Sequence, residues 1–327
     1  MAPARDTNSY LRTEVECPSV TKFDVIIIGG GPAGMSAGIW CADLGLDALL
    51  LERADTLGGQ LSSIYGPITN YPGLDLANGD ELRERVLRQL KRTNVKVRTS
   101  AEIISVNLAQ GAVRVAGNEE LRASSIIIAT GVRRRRLNIP GEREFEGRGI
   151  LTSGMRDQGT VGGKNVVIVG GGDAALENAL ILSETASKVS LVHRAEAFRG
   201  RENFISRIAK RGNIEILLNT LVTQILGDAR LRRVEVESGG AKRHIDCDNL
   251  LIRIGVKPNS DLFREDVRVD KQGYILVDSD GSTGIEDTYA VGDVALPQAP
   301  TISTAVGSAA AAVKALVSTL SKRAPRP

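Results

Sequence analysis

A glycine pattern that occurs twice constrains this chain more than any other feature. Residues 23–34 read FDVIIIGGGPAG, and residues 165–175 read NVVIVGGGDAA. In each copy a β-branched apolar run meets a glycine turn and continues into a helix-forming stretch, the strand–turn–helix context of a dinucleotide-binding βαβ unit. In the first copy Gly29 allows the tight turn, Gly31 lets the backbone approach a pyrophosphate, and Gly34 lets the helix pack close on its strand. Pro32 and Ala33 open that helix, whose free N–H groups would face the phosphates. Gly170, Gly172 and Ala175 hold the same places in the second copy, with Asp173 and Ala174 between them. One such fingerprint is a weak signal. Two, each with a strand before and a helix after, are hard to produce by chance.

The residue that should meet the adenosine ribose differs between the copies. After the first turn the apolar run Ala48–Leu51 ends in Glu52, with Arg53 beside it, 23 residues beyond Gly29. A carboxylate there accepts hydrogen bonds from an unmodified ribose. The same spacing after the second turn falls on His193, followed by Arg194 and then Arg199. Guanidinium groups suit a ribose 2′-phosphate, because their planar fork binds phosphate bidentately. The asymmetry predicts one dinucleotide with a free ribose and another of the NADP type, with NADH kept as the second candidate donor.

Composition narrows the rest. A chain of 327 residues has room for about two domains. Lys+Arg 42 against Asp+Glu 39, with 3% aromatic residues, argues against nucleic acid, which needs stacking platforms in a basic groove. With His193 and His244 the sole histidines and cysteines at 17, 41 and 247, no metal site can be assembled from local spacing. The odd, scattered cysteines suit a reducing, cytoplasmic setting. The longest apolar runs, such as Val25–Ile28, are strand-sized, so no membrane span is expected. Met1–Lys22 reads as a loose arm and Lys322–Pro327 as a frayed end.

Further landmarks are GGQL at Gly58–Leu61, NYPG at Asn70–Gly73, IIIATG at Ile126–Gly131, IPGE at Ile139–Glu142, HRAEAFR at His193–Arg199 and YAVGD at Tyr289–Asp293. As an ordered set they resemble the low-molecular-weight thioredoxin reductase family of FAD-dependent pyridine-nucleotide oxidoreductases, from about Phe23 to Leu320. The resemblance implies an α/β fold of two Rossmann-like dinucleotide-binding domains, with the NAD(P)H domain inserted into a discontinuous FAD domain. Residues 23–133 and 262–327 would bind FAD and residues 134–261 NADPH, behind an extension at 1–22. Hinges are implied near Arg133–Ile139 and Val256–Leu262, about which the inserted domain rotates. Thr130, Gly131, Gly292 and Asp293 would belong to the FAD site, Asp293 on the ribityl or phosphate region. Gly59, Gln60 and Asn70 would line the isoalloxazine pocket. A helix over Thr301–Leu320 would start at the flavin, where its dipole favours reduced flavin, or pack in a homodimer.

Members of this family carry a C-x-x-C-D element that relays electrons. By position it corresponds here to Ser153-Gly154-Met155-Arg156-Asp157. Neither serine at 153 nor arginine at 156 can exchange disulfides, so no catalytic side chain is assigned. Cys41 reads as a buried packing residue, Cys247 precedes a strand, and Cys17 lies in the arm. The electron acceptor stays unidentified. The run Arg133–Arg136 is either a solvated hinge or a docking site for an acidic carrier such as ferredoxin or flavodoxin, whose thioredoxin-reductase-like reductases also lack the pair. A third reading is a flavin-binding sensor or scaffold, consistent with Ser153, Arg156 and Ala195, where the family usually has another arginine.

Overall fold

In the computed structural model, β-branched runs flanked by glycine lie side by side as parallel strands. Residues 22–323 are described, so Cys17 and most of both expected loose ends lie outside them. The chain opens with β1 (Lys22–Ile28), α1 (Pro32–Asp43), β2 (Ala48–Leu51), α2 (Gly79–Leu90), β3 (Lys96–Arg98), β4 (Ile103–Asn107), β5 (Ala112–Val115) and β6 (Glu119–Ile128). It continues through β7 (Val132–Arg134), α3 (Gly154–Asp157), β8 (Asn165–Val169), α4 (Asp173–Leu182), β9 (Lys188–Val192), α5 (Glu202–Ala209) and β10 (Ile214–Leu217). Last come β11 (Thr220–Gly227), β12 (Leu231–Ser238), β13 (Ala241–Asp246), β14 (Asn249–Ile252), β15 (Val256–Pro258), β16 (Thr288–Ala290) and α6 (Ile302–Arg323).

The first sheet runs β3-β2-β1-β6-β5-β4, with β16 also paired to β6. Its strands β1, β2, β3, β6 and β16 are parallel, whereas β4, β5 and β6 pair antiparallel. The side-chain period of two divides the apolar runs between two cores. Val25, Ile27, Leu50 and Ile127 face the helix layer of α1, α2 and α6, while Ile26, Leu49, Leu51 and Ile128 meet Val113, Phe263 and Val267 on the other side. Burial on both faces explains why these strands read as continuous hydrophobic runs.

The second sheet, β10-β9-β8-β14, is parallel throughout, and α4 and α5 cover it. On its other face lies an antiparallel meander, β11-β12-β13, whose Val222, Val234 and Val236 point into a core shared with Val167, Val169 and Cys247. Between the sheets the chain crosses once in each direction. There β7 and β15 form an antiparallel two-stranded ribbon.

Helix α6 packs on α1, where Ser36 Oγ donates to the Val306 carbonyl at 3.1 Å and Ala305, Ala309 and Ala312 share one core with Ala33, Ala37 and Cys41. Ile302–Ser321, 20 residues of mean hydropathy 1.3, is long and apolar enough by length and composition to cross a membrane. Interspersed Ser and Thr hide this in a search for unbroken apolar runs.

Candidate functional site

Both glycine turns sit at the carboxyl ends of central parallel strands, where open α/β sheets place their ligands. At the first, Gly29 has φ +110°, and a Cβ there would lie 2.4 Å from the Ala129 carbonyl oxygen. A Cβ on Gly34 would fall 1.7 Å from the Gly29 oxygen, so the helix rides directly on the turn. Gly31 differs, since a Cβ on it would meet nothing within 4 Å. Packing makes no demand for glycine there, but a pyrophosphate seated at the start of α1 would. Pro32 takes the first helical position without sacrificing a needed N–H, and Ala33 is buried behind it. Glu52 grips this turn: Oε2 accepts from Gly30 N–H at 2.6 Å and Oε1 from Ala54 N–H at 2.8 Å. A carboxylate has about four acceptor sites, so lone pairs remain for ribose hydroxyls. Arg53 is exposed beside it.

Other segments converge on this turn. Gly58 N–H donates to the Gly30 oxygen at 2.8 Å, and a Cβ on Gly59 would come within 3.0 Å of Gly31 Cα. Gln60 donates to Asp293 Oδ2 at 3.3 Å. Burial raises the Asp293 pKa against that hydrogen bond. A Cβ on Gly292 would lie 2.9 Å from Ala33 Cβ, which brings the YAVGD turn onto the start of α1. The start of α6 approaches Asn70, whose carbonyl accepts from Ser303 at 3.5 Å, and Thr301 closes that helix end through Thr304 at 3.0 Å. Thr130 and Gly131 follow β6 and are fastened to Asn259, Thr130 Oγ1 donating to its carbonyl at 2.8 Å. These residues fit an FAD cradle because the open space at Gly31 adjoins polar groups on Glu52, Gln60 and Asp293 that keep acceptor capacity beyond their own hydrogen bonds.

The second turn repeats the backbone plan. Gly170 has φ +151°, its Cβ would lie 2.2 Å from the Arg253 carbonyl oxygen, and a Cβ on Gly172 would meet nothing within 4 Å. Ala175 is fully buried and Ala174 exposed. Asp173 is engaged, with Oδ2 2.8 Å from Arg201 Nε and Oδ1 accepting from Arg201 N–H at 2.7 Å. Together with the Arg199 N–H bond to the Gly171 oxygen at 2.8 Å, this folds residues 199–201 back over the turn. His193 is 5% exposed, and a Cβ on Gly171 would strike its ring at 2.3 Å. Its pKa is lowered by burial and by the charges of Arg199 and Arg194, against a hydrogen bond with the Ala197 backbone. Arg194 and Arg199 are exposed and form no ion pair among the described residues.

Ser153 precedes α3, and Arg156 lies on it, its guanidinium 5.8 Å from the Tyr65 ring. Asp157 turns inward, accepting from Thr152 N–H at 2.6 Å and Ser153 N–H at 3.0 Å. Cys41 and Cys247 are 0% and 4% exposed in separate cores, and burial pushes each thiol up to about 12. No cluster of metal-ligating side chains occurs among the described residues. The arginine run is tied down: Arg133 pairs with Asp261, Arg134 donates to the Thr152 carbonyl, Arg135 to Val256 at 2.8 Å, and Arg136 pairs with Glu146 at 3.1 Å. Sequence reasoning missed Arg201 and Arg253, which lie at the second turn. A fingerprint search does not reach them because neither sits at a spacing counted from the glycines.

The family described as "Pyridine nucleotide-disulphide oxidoreductase" matches residues 23–315. A thioredoxin reductase of Mycolicibacterium smegmatis is 34% identical over 300 residues, covering 90% of this chain and 95% of that protein. The "34.2 kDa protein in rubredoxin operon" of Clostridium pasteurianum is 28% identical over 288 residues, covering 87% of this chain and 93% of that one. The crystal structure of Lactococcus lactis thioredoxin reductase superposes with a TM-score of 0.80 at 30% identity, covering 92% of this chain and 99% of that one.

Proposed function

The chain belongs to the pyridine nucleotide-disulphide oxidoreductases and shares the fold of thioredoxin reductases, whose cofactors are FAD and NADPH, and from that premise we propose an FAD-dependent NADPH oxidoreductase that serves its acceptor without a protein dithiol. The observation that carries this reading is the pair Ser153 and Arg156 at the head of α3, with both described cysteines sealed in separate cores. A thiol held near pKa 12 is almost wholly protonated at neutral pH, and the thiolate is the species that exchanges.

In this reading residues 23–133 and 262–327 hold FAD and residues 134–261 hold NADPH, with the β7–β15 ribbon as the hinge. Bound there, NADPH and FAD would supply hydride chemistry between nicotinamide and flavin and an electron pair for the acceptor. The chain's residues bind and orient. Gly31 and Gly172 leave room for pyrophosphates at the starts of α1 and α4, where free N–H groups and the helix dipole favour anions. Glu52 fixes the first turn and accepts from a ribose, while Arg194 and Arg199 supply charge for a 2′-phosphate. Asp293 would meet the flavin's ribityl or phosphate region, and Gln60, hydrogen-bonded to it, would line the isoalloxazine pocket. No side chain need act as nucleophile or base in the first half-reaction.

The test is anaerobic mixing of the yellow protein with NADPH, followed by addition of thioredoxin. Bleaching of the visible flavin absorption, without subsequent thioredoxin reduction, is expected. A persistent yellow spectrum, or thioredoxin turnover by this chain alone, would defeat the reading.

A further inference from the structure

Two guanidinium groups converge on one backbone oxygen. Arg253, just beyond β14, donates from Nη2 to the Thr152 carbonyl at 2.6 Å and from Nη1 to the Ile252 carbonyl at 2.9 Å. Arg134, on β7, donates to the same Thr152 oxygen. Arg253 is half-buried, and that burial, with the Arg134 charge beside it, lowers its pKa to about 10. Neither arginine forms an ion pair among the described residues. Asp157 is near enough to favour the charged form of Arg253, but its Oδ2 takes the Thr152 and Ser153 N–H groups, and its Oδ1 lies 3.7 Å from Arg156 Nε. Arg156 and Arg253 therefore share one carboxylate, and Arg134 stands beside them on the Thr152 carbonyl.

Like charges held together in a partly desolvated place repel, and a neutral carbonyl offsets only part of that repulsion. A guanidinium carries five N–H donors in a planar fork that matches an oxyanion. Arg253 uses two of them in these bonds and Arg134 one. The location is equally specific. The Arg253 backbone abuts the second glycine turn, and its side chain reaches the residue before Ser153. Across from it Met155 lies 3.6 Å from where a Cβ of Gly66 would be, and Arg156 lies over Tyr65. The unbalanced positive charge thus stands where the chain between the two sheets faces the 65–66 loop.

We propose that Arg134 and Arg253 form a docking point for an oxyanion, a carboxylate, phosphate or sulfonate, carried by a small redox-active acceptor that seats beside Ser153–Arg156. This rests on the dithiol-free reading above, because an acceptor served without a protein dithiol must itself come close to the cofactor site. The coenzyme's own phosphates are the competing source of such an anion.

Calorimetric titration of the protein as purified with naphthalene-2-sulfonate, which is redox-inert, and with its neutral sulfonamide tests the pair. Tighter binding of the sulfonate is expected, weakened about tenfold or more by Arg134→Gln and by Arg253→Gln, with sulfonamide binding and NADP⁺ affinity unchanged. Arg134 is exposed, so its variant keeps the test valid should Arg253→Gln unfold. Equal binding of the two probes, or undiminished sulfonate binding in Arg134→Gln, overturns the proposal. So does a matching fall in NADP⁺ affinity, which would hand the charges to the coenzyme. The titration needs no turnover, so a protein with no reducible flavin would strike the functional reading alone.

Discussion

The two glycine turns share a backbone plan and differ in what covers their middle glycine. At the first, a Cβ on Gly30 would strike the Leu57 side chain at 2.4 Å and lie 3.0 Å from Glu52 Oε2, which is itself hydrogen-bonded to Gly30 N–H. At the second, a Cβ on Gly171 would strike the His193 ring. The residue at ribose spacing thus folds over the turn in both, by a charge-assisted hydrogen bond in one and by packing in the other. The acid keeps lone pairs for a ligand. The imidazole, 5% exposed with Nε2 unpartnered among the described residues, is spread against the backbone and would leave recognition of a ribose substituent to Arg194 and Arg199. Equal spacing in sequence therefore does not mean equal chemistry.

The severest way to break the comparison is to fill the open glycines. Gly31→Val should weaken flavin retention by about 10–100-fold, the cost of about 1–3 kcal/mol for forcing atoms into a space meant for the ligand. Colour and flavin content after gel filtration read it directly. Gly172→Val should leave the protein yellow and instead abolish bleaching by NADPH. If the two variants behave alike, the division of cofactors between the turns is wrong. Next in size is Glu52→Ala, which removes the carboxylate that would accept from the ribose, a charge-assisted hydrogen bond contributing about 1.5–3 kcal/mol. Flavin retention should fall by at least about tenfold, with NADPH affinity in the flavin-reconstituted protein unchanged.

How much of this was readable beforehand follows from what is local. The parallel strands, both turns and the long terminal helix are each written in contiguous residues, a β-branched run beside glycine or a run of small helix formers. The β11–β13 meander was not, because its inward Leu231, Val234 and Val236 alternate with arginine and glutamate, and a bulge between Val222 and Gln224 breaks the register. The arginine run had two readings in sequence because its partners are distant. Arg133 finds Asp261 across 128 positions and Arg136 finds Glu146 across 10. Arg253 was silent for the same reason, since Thr152 lies 101 residues away. His193 was found by spacing, but its burial depends on Gly171 and Phe198, whose ring centroid lies 5.6 Å away.

A smaller effect sharpens the contrast on the coenzyme side. Arg199→Ala should raise the KM for NADPH about tenfold, a charge-assisted hydrogen bond contributing about 1.5–3 kcal/mol, and leave that for NADH within about twofold. Arg194→Ala should act in the same direction. An equal rise for both donors in steady-state assays would mean that these side chains hold the turn's shape and not a 2′-phosphate.

The smallest effect is a pH term that belongs to the second turn. Burial lowers the His193 pKa below its ordinary 6.5, so the unfolded chain binds the proton more readily than the folded one. Stability from the neutral ring is then complete above pH 6.5 and is lost as pH falls from there toward the folded value. Protonation would place a cation against the Gly171 backbone, beside Arg194 and Arg199, with no room for water at Nε2. NADP⁺ affinity should therefore drop only as pH nears the lowered folded value, through loosening of the turn as well as through any titration of the phosphate. His193→Leu separates the two, since it keeps an apolar side chain against Gly171 and removes the titrating group. Its denaturant midpoint should vary less between pH 7.5 and 5.5 than that of the unaltered protein, measured on one batch by fluorescence of Trp40. An identical pH dependence in both would show that the ring's protonation is not coupled to the folding of this turn.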